Sequence, residues 1–131
     1  MLINDPISDL LIRLKNAFMS EHEQVAMPHS KLKEAVAKLL KEHHYITDYQ
    51  VTKKKPQSEL VIELRYIQDQ PAITRVKRIS KSSRRVYAPA DKLPLALKGY
   101  GLTIVSTNQG LMSAKKARKQ NLGGEVMCQV W

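Results

Sequence analysis

At 131 residues with 43% hydrophobic side chains, the chain can build one domain or two small lobes, and its scarce aromatics (one Trp, one Phe, five Tyr) leave the core to aliphatic residues. The lone cysteine, Cys128, excludes an intrachain disulfide and a cysteine metal site; no run nears the roughly 18 apolar residues of a membrane span, and the first residues lack a signal-peptide pattern, so a soluble, non-exported protein in a reducing compartment is expected. The formal net charge of +10 is one-sided: residues 1–70 hold ten basic and ten acidic side chains, residues 71–131 twelve basic ones against Asp91 and Glu125.

Asp5 followed by Pro6 signals a helix start, and Ile7, Leu10, Leu11, Leu14 and Phe18 recur at helical spacing to about Met19. A brief strand is expected over Gln24 to His29. Ser30 then caps a second helix marked by Leu32, Ala35, Val36, Leu39 and Leu40, which is expected to turn its Lys and Glu residues to solvent and to end near His44. Ile46 to Lys54 is rich in strand formers, and residues 53–58 read as a turn. In the partner strand Leu60, Ile62, Leu64 and Tyr66 alternate with Glu59, Glu63 and Arg65. Asp69-Gln70-Pro71 breaks this pattern where the charge balance also changes, which puts a lobe boundary between 70 and 71.

The second half opens with a basic strand candidate, Ile73 to Ser80, a turn near Ser82-Ser83, and a short segment Arg84 to Ala88. Proline and glycine break up Pro89 to Gly101, Gly99-Tyr100-Gly101 being read as a turn. Leu102 to Ser106 is an apolar strand, Ser113 can cap a short basic helix from Ala114 to about Asn121, and Gly123-Gly124 lets the chain turn into a last strand, Glu125 to Trp131. The fold class is therefore α+β: an α-β-α-β-β lobe over 1–70 and a mostly β, basic lobe with one short helix over 71–131.

One-sided positive charge is the footprint of a surface that neutralises phosphates. A basic face kept for solubility and an anionic membrane surface are its alternatives, the latter weaker because no long amphipathic helix accompanies the charge. Catalysis finds little support: His22, His29, His43 and His44 all lie in the neutral half, far in sequence from Cys128, Ser106 and Ser113, and no carboxylate pair is present in the second half. His43-His44 suit a helix end better than a metal, since adjacent residues point apart. Neither glycine pair has the spacing or the Lys of a phosphate-binding loop.

Ser106-Thr107-Asn108-Gln109-Gly110 is more informative. It sets four uncharged hydrogen-bonding side chains in a row after an apolar strand, with Gly110 able to take a left-handed conformation. Short hydroxyls and amides suit the shallow minor groove of A-form RNA, with its 2′-hydroxyls and base edges. Lys115, Lys116, Arg118 and Lys119 follow closely and could hold phosphates; an ordinary strand-to-helix turn remains the plainer alternative. A second basic group, Arg75, Lys77, Arg78, Lys81, Arg84 and Arg85, leads to Tyr87, whose ring could stack on a base or ribose, although the residues alone favour a core ring with its hydroxyl at the surface. A protein-interaction module using the neutral half is the rival from another class.

The run Ser106 to Ser113, then Ala117-Arg118-Lys119, then Gly123-Gly124-Glu125-Val126 up to Trp131, closely resembles the C-terminal signature of the ribosomal small-subunit protein eight family of bacteria and organelles. Asp5 to Leu11 with Arg13 and Asn16-Ala17, and Pro28-His29-Ser30-Lys31, resemble its N-terminal pattern. The likeness spans nearly the whole chain. It implies a non-enzymatic two-lobe protein that binds the central domain of 16S-type ribosomal RNA, organises it during subunit assembly, and sits beside other small-subunit proteins, on a cytoplasmic ribosome or, if organelle-encoded, in a plastid or mitochondrion. It implies no cofactor, metal, membrane or small-molecule substrate. The family's minor-groove residues carry over to Ser106, Thr107, Asn108, Gly110, Gly123, Gly124 and Glu125, with Glu125 ordering the loop or accepting a hydrogen bond. Lys115, Lys116, Arg118, Arg85 and Tyr87 complete the candidate RNA-binding set. Two departures stand out: Asn108 replaces a customary Ser, and Ser82-Ser83 replace a Pro-Gly turn, so a looser turn before Tyr87 is expected.

Overall fold

A computed structural model describes residues 5–95 and 101–131; Gly99-Tyr100 lies outside the described residues. Two compact units emerge, Met1–Thr74 and Arg75–Trp131.

The first unit begins with helix α1, Pro6–Met19, whose start is written into two residues. Asp5 Oδ1 accepts a hydrogen bond from the Ser8 N–H at 3.2 Å, and Pro6 occupies the first turn, where a missing N–H costs nothing. Its buried stripe is Ile7, Leu10, Leu11, Leu14, Ala17 and Phe18. Strand β1, Gln24–Pro28, leads to α2, Lys31–Glu42, capped by Ser30, whose side chain accepts from the Lys33 N–H at 3.1 Å. Strands β2, Ile46–Thr52, and β3, Glu59–Leu64, complete an antiparallel sheet in the order β1-β3-β2. The helices pack on the sheet, α1 against β1 and α2 against β2 and β3, over Leu60, Ile62 and Leu64. Each such Leu or Ile buried contributes about 1.5–3 kcal/mol.

One expectation for α2 fails. Lys33 is buried at 6% exposure, because its Nζ donates to Asp9 Oδ2 at 2.6 Å and to the Pro28 carbonyl at 3.2 Å, and its stem fills the stripe with Val36, Ala37, Leu39 and Leu40. Leu32 and Ala35 are accordingly only half-buried. The segment read as a pattern break is a small antiparallel ribbon, β4 (Tyr66–Ile67) with β5 (Gln70–Pro71), turned by Gln68 and Asp69 at positive φ.

The second unit is built on β10, Gly124–Val130. On one side it pairs with β6, Val76–Arg78, and β7, Tyr87–Ala88; on the other with β8, Leu102–Thr107, which pairs in turn with β9, Gly110–Ser113. A short 3-10 turn, Ala90–Lys92, precedes β8, and helix α3, Ala114–Lys119, joins β9 to β10. Val105, Met112, Val126, Leu93, Ala114 and Ala117 form the core, with Ile79, Val86, Ala88, Leu95 and Leu122 at its margin.

Three details differ from the sequence expectations. Ser106 to Gly110 is not a strand-to-helix loop: Ser106 and Thr107 end β8, Asn108-Gln109 turn, and Gly110 begins β9, so the segment is a hairpin tip. The chain leaves α3 through Asn121 at φ 56°, whereas Gly123 and Gly124 are demanded by close backbone approach. Ser82-Ser83 form a tight turn, closed by Lys81 N–H to Arg84 O at 2.9 Å and Arg84 N–H to Lys81 O at 3.0 Å, so the loss of Pro-Gly does not open it.

Candidate nucleic-acid interface

The strand register brings together segments far apart in sequence. On β10, Glu125 lies opposite Tyr87 of β7 on one side and Ser106 of β8 on the other; Ser106 lies opposite Leu111 of β9. Directly opposed residues share a sheet face, with Cβ atoms about 5 Å apart. Their chain neighbours Val105, Val126 and Met112 belong to the core, and strand side chains alternate, so Tyr87, Glu125 and Ser106 form one row on the face away from that core. Tyr87 is 69% exposed, which corrects the expectation of a core ring: the alternation spends Val86, not Tyr87, on the interior.

The hairpin tip continues this row. Thr107 Oγ1 donates to the Gly110 carbonyl at 2.9 Å and accepts from the Gln109 N–H at 3.1 Å, so its hydroxyl shapes the turn. Gly110, at φ +107°, takes a conformation that L side chains rarely adopt. Asn108 and Gln109 are exposed at the tip. Gly124 lets β10 approach β8: a Cβ there would fall 2.1 Å from the Ser106 carbonyl oxygen, and one on Gly123 would fall 2.7 Å from that of Ala88. The Gly-Gly pair thus permits the approach of the three strands that carry the row.

Glu125 is held rather than free. Its Oε2 accepts from the Ser80 hydroxyl and from Arg85 Nη1 at 3.1 Å, and only 16% of its side chain is exposed. Ser80, fully buried, also accepts from the Val86 N–H at 3.3 Å. Sequence reasoning missed Ser80, because nothing local in Ile79-Ser80-Lys81 announces a partner 45 residues away.

The cations divide. Ser113 caps α3 by accepting from the Lys116 N–H at 3.2 Å, which leaves Lys115 and Lys116 exposed on its first turn without an ion pair among the described residues. Arg118 is exposed but donates to the Leu93 carbonyl at 3.1 Å, tying α3 to the segment before β8. The second unit carries the entire charge excess, twelve basic residues against two acidic ones over 75–131. Among the described residues no group of His, Cys, Asp and Glu is arranged to hold a metal, and no helix is long and apolar enough to cross a membrane.

The chain is a small α+β protein of two units, the second of which carries a polar row on one sheet face and exposed lysines on the first turn of α3. Comparison with known proteins identifies the family. The family model for ribosomal protein S8 matches residues 5–131. The chain is 47% identical over 132 residues to the small ribosomal subunit protein uS8 of Mycoplasmopsis synoviae, covering all of both chains. It is 45% identical over 130 residues to that of Oleidesulfovibrio alaskensis (99% of this chain, 100% of the relative), and 46% identical over 132 residues to that of Rubrobacter xylanophilus (all of both chains). The chain belongs to the ribosomal protein S8 family. Its role is that of a structural protein of the small ribosomal subunit, not of an enzyme.

Proposed function

We propose that the chain binds directly to the central domain of 16S-type ribosomal RNA, through the second unit, and organises that region as the subunit assembles beside neighbouring ribosomal proteins. The observation that carries the proposal is the alignment of Tyr87, Glu125 and Ser106 on the sheet face away from the core, with the exposed Asn108-Gln109 tip next along the same hairpin, inside the unit that holds all of the excess charge. The row can meet a minor groove: Ser106 and Asn108 both donate and accept, Thr107 sets the turn, and Tyr87 offers a ring face to a ribose or an unpaired base. Gly110, Gly123 and Gly124 let the backbone come close. Lys115 and Lys116 anchor phosphates, and Arg118 holds α3 in place while adding charge.

Binding of a central-domain rRNA fragment, measured across a salt series, tests this directly. Affinity falls steeply with salt if phosphates are neutralised; a protein-only partner gives a shallow dependence. Ser106→Ala with Thr107→Ala is expected to cost about 1–3 kcal/mol and to abolish preference for the cognate fragment. No binding at low salt refutes the proposal, and footprinting on small-subunit rRNA locates the site.

A further inference from the structure

We infer that Ser80 is a positioning residue for RNA recognition, and that Arg85 acts with it as a clamp on Glu125 rather than as a phosphate anchor. The inference rests on the RNA-binding reading and goes beyond it.

A carboxylate in a surface that meets RNA is a liability, since nearby phosphates repel it. Glu125 nevertheless sits in the middle of the row, between Tyr87 and Ser106. The structure resolves this through Oε2, which takes both the Ser80 hydroxyl and the Arg85 guanidinium. Arg85 offsets the negative charge; Ser80 fixes where it sits. The carboxylate's other oxygen is left as an acceptor at a set position, suited to a donor such as a 2′-hydroxyl or a guanine amino group. Ser80 has no exposed surface, so it cannot touch RNA itself. Its hydroxyl acts on two neighbours at once: it donates to Glu125 and accepts from the Val86 N–H, and Val86 precedes Tyr87. The Val86 carbonyl in turn accepts from the Val126 N–H at 2.9 Å, and Ser80 N–H donates to the Val126 carbonyl at 3.1 Å. One buried hydroxyl therefore couples the side-chain position of Glu125 to the backbone that carries Tyr87. Arg85, half-exposed, spends its guanidinium on the carboxylate, so the pair presents almost no net charge to phosphate.

The test is binding of Ser80→Ala, Arg85→Ala and Glu125→Ala proteins to the central-domain rRNA fragment over a salt series, with the double variant Ser80→Ala/Glu125→Ala. Ser80→Ala is expected to weaken binding roughly tenfold, as for a lost hydrogen bond to a charged group, without changing the slope of log affinity against log salt. In the Glu125→Ala background the same substitution is expected to add less than about twofold, because the group it positions is gone. Arg85→Ala sits at a half-exposed position where truncation leaves no cavity, and carries the test should Ser80→Ala fail to fold. Its affinity is expected to drop while the salt slope is kept; a slope lowered by about one would make Arg85 a phosphate contact and overturn the clamp. Equal losses from Ser80→Ala with and without Glu125 would show a general structural effect and overturn the positioning role, as would unchanged affinity. These failures presuppose that the unaltered protein binds; absence of that binding would remove the underlying RNA-binding reading as well.

Discussion

Gly124→Ala offers the most stringent check on how the row is built. An added Cβ would lie 2.1 Å from the Ser106 carbonyl oxygen, 3.0 Å from its carbonyl carbon and 3.2 Å from the Thr107 Cα. Ordinary van der Waals contact begins near 3.4 Å, so 3.4 − 2.1 leaves 1.3 Å to be found by moving backbone. That is more than a quarter of the roughly 4.8 Å spacing between paired strands. Overpacking typically costs about 1–3 kcal/mol, and here the obstacle is main chain, which cannot change rotamer. Losing one or two ladder hydrogen bonds adds about 1 kcal/mol each, for a total of roughly 2–5 kcal/mol. Gly110→Ala makes the internal comparison: nothing lies within 4 Å of its added Cβ, so it meets only the strain of φ +107°, about 1–3 kcal/mol. Urea unfolding followed by circular dichroism reads both, and the rRNA fragment reads the consequence for the row, since the strands that separate carry Ser106 and Glu125. If Gly124→Ala falls within about 0.5 kcal/mol of the unaltered protein, or costs less than Gly110→Ala, close approach is not what the glycine is for.

Lys116→Ala is expected to weaken cognate and unrelated RNAs alike and to lower the salt slope by about one, read by filter binding at several salt concentrations. Lys33→Ala removes a buried stem and two hydrogen bonds and is expected to cost about 2–4 kcal/mol in urea unfolding with no change in salt slope; a cost below about 0.5 kcal/mol would mean that the stem is not packed as described. Acid should act on the same contact: burial tends to raise the Asp9 carboxyl, but hydrogen bonds and charge from Lys33 and Arg13 outweigh it and hold the group below its ordinary 3.8. A folded value below the unfolded one stabilises above 3.8 and loses that contribution as pH falls through the folded value, so the stability gap between the unaltered protein and Asp9→Asn should narrow below about pH 4. A gap that stays constant from neutrality to pH 3 would contradict this.

The parts of the fold legible in sequence were those whose signals are local. Asp5-Pro6 and Ser30 announced their helices because capping chemistry acts within three residues, and Leu60, Ile62 and Leu64 announced β3 through period-two alternation. Lys33 was misread because its partner, Asp9, is 24 residues away, and on periodicity alone a lysine counts as solvated. Strand β9 was missed because four residues carry little pattern and Ser113 also caps α3, which made the segment look like a lead into the helix. Tyr87 was misplaced for want of register: in a two-residue strand only the partner β10 shows which side chain faces inward.

The candidate site divides along the same line, and the division bears on mechanism. Its charge was legible as composition, because phosphate attraction needs only cations on one surface and tolerates wide variation in where they stand. Its row was legible only as residue types, because what aligns Tyr87, Glu125 and Ser106 is strand pairing across gaps of 38 and 19 positions. Attraction that tolerates imprecision can supply affinity but no choice between sequences; choice needs donors and acceptors fixed to within a few tenths of an ångström. The buried Ser80, the two glycines of close approach and the Thr107-braced turn all act on the row, whereas the exposed lysines at the start of α3 form no ion pairs among the described residues that would fix them. Substitutions in the first group should therefore change the ratio of cognate to non-cognate binding at constant salt slope, and substitutions among the lysines should change the slope at constant ratio.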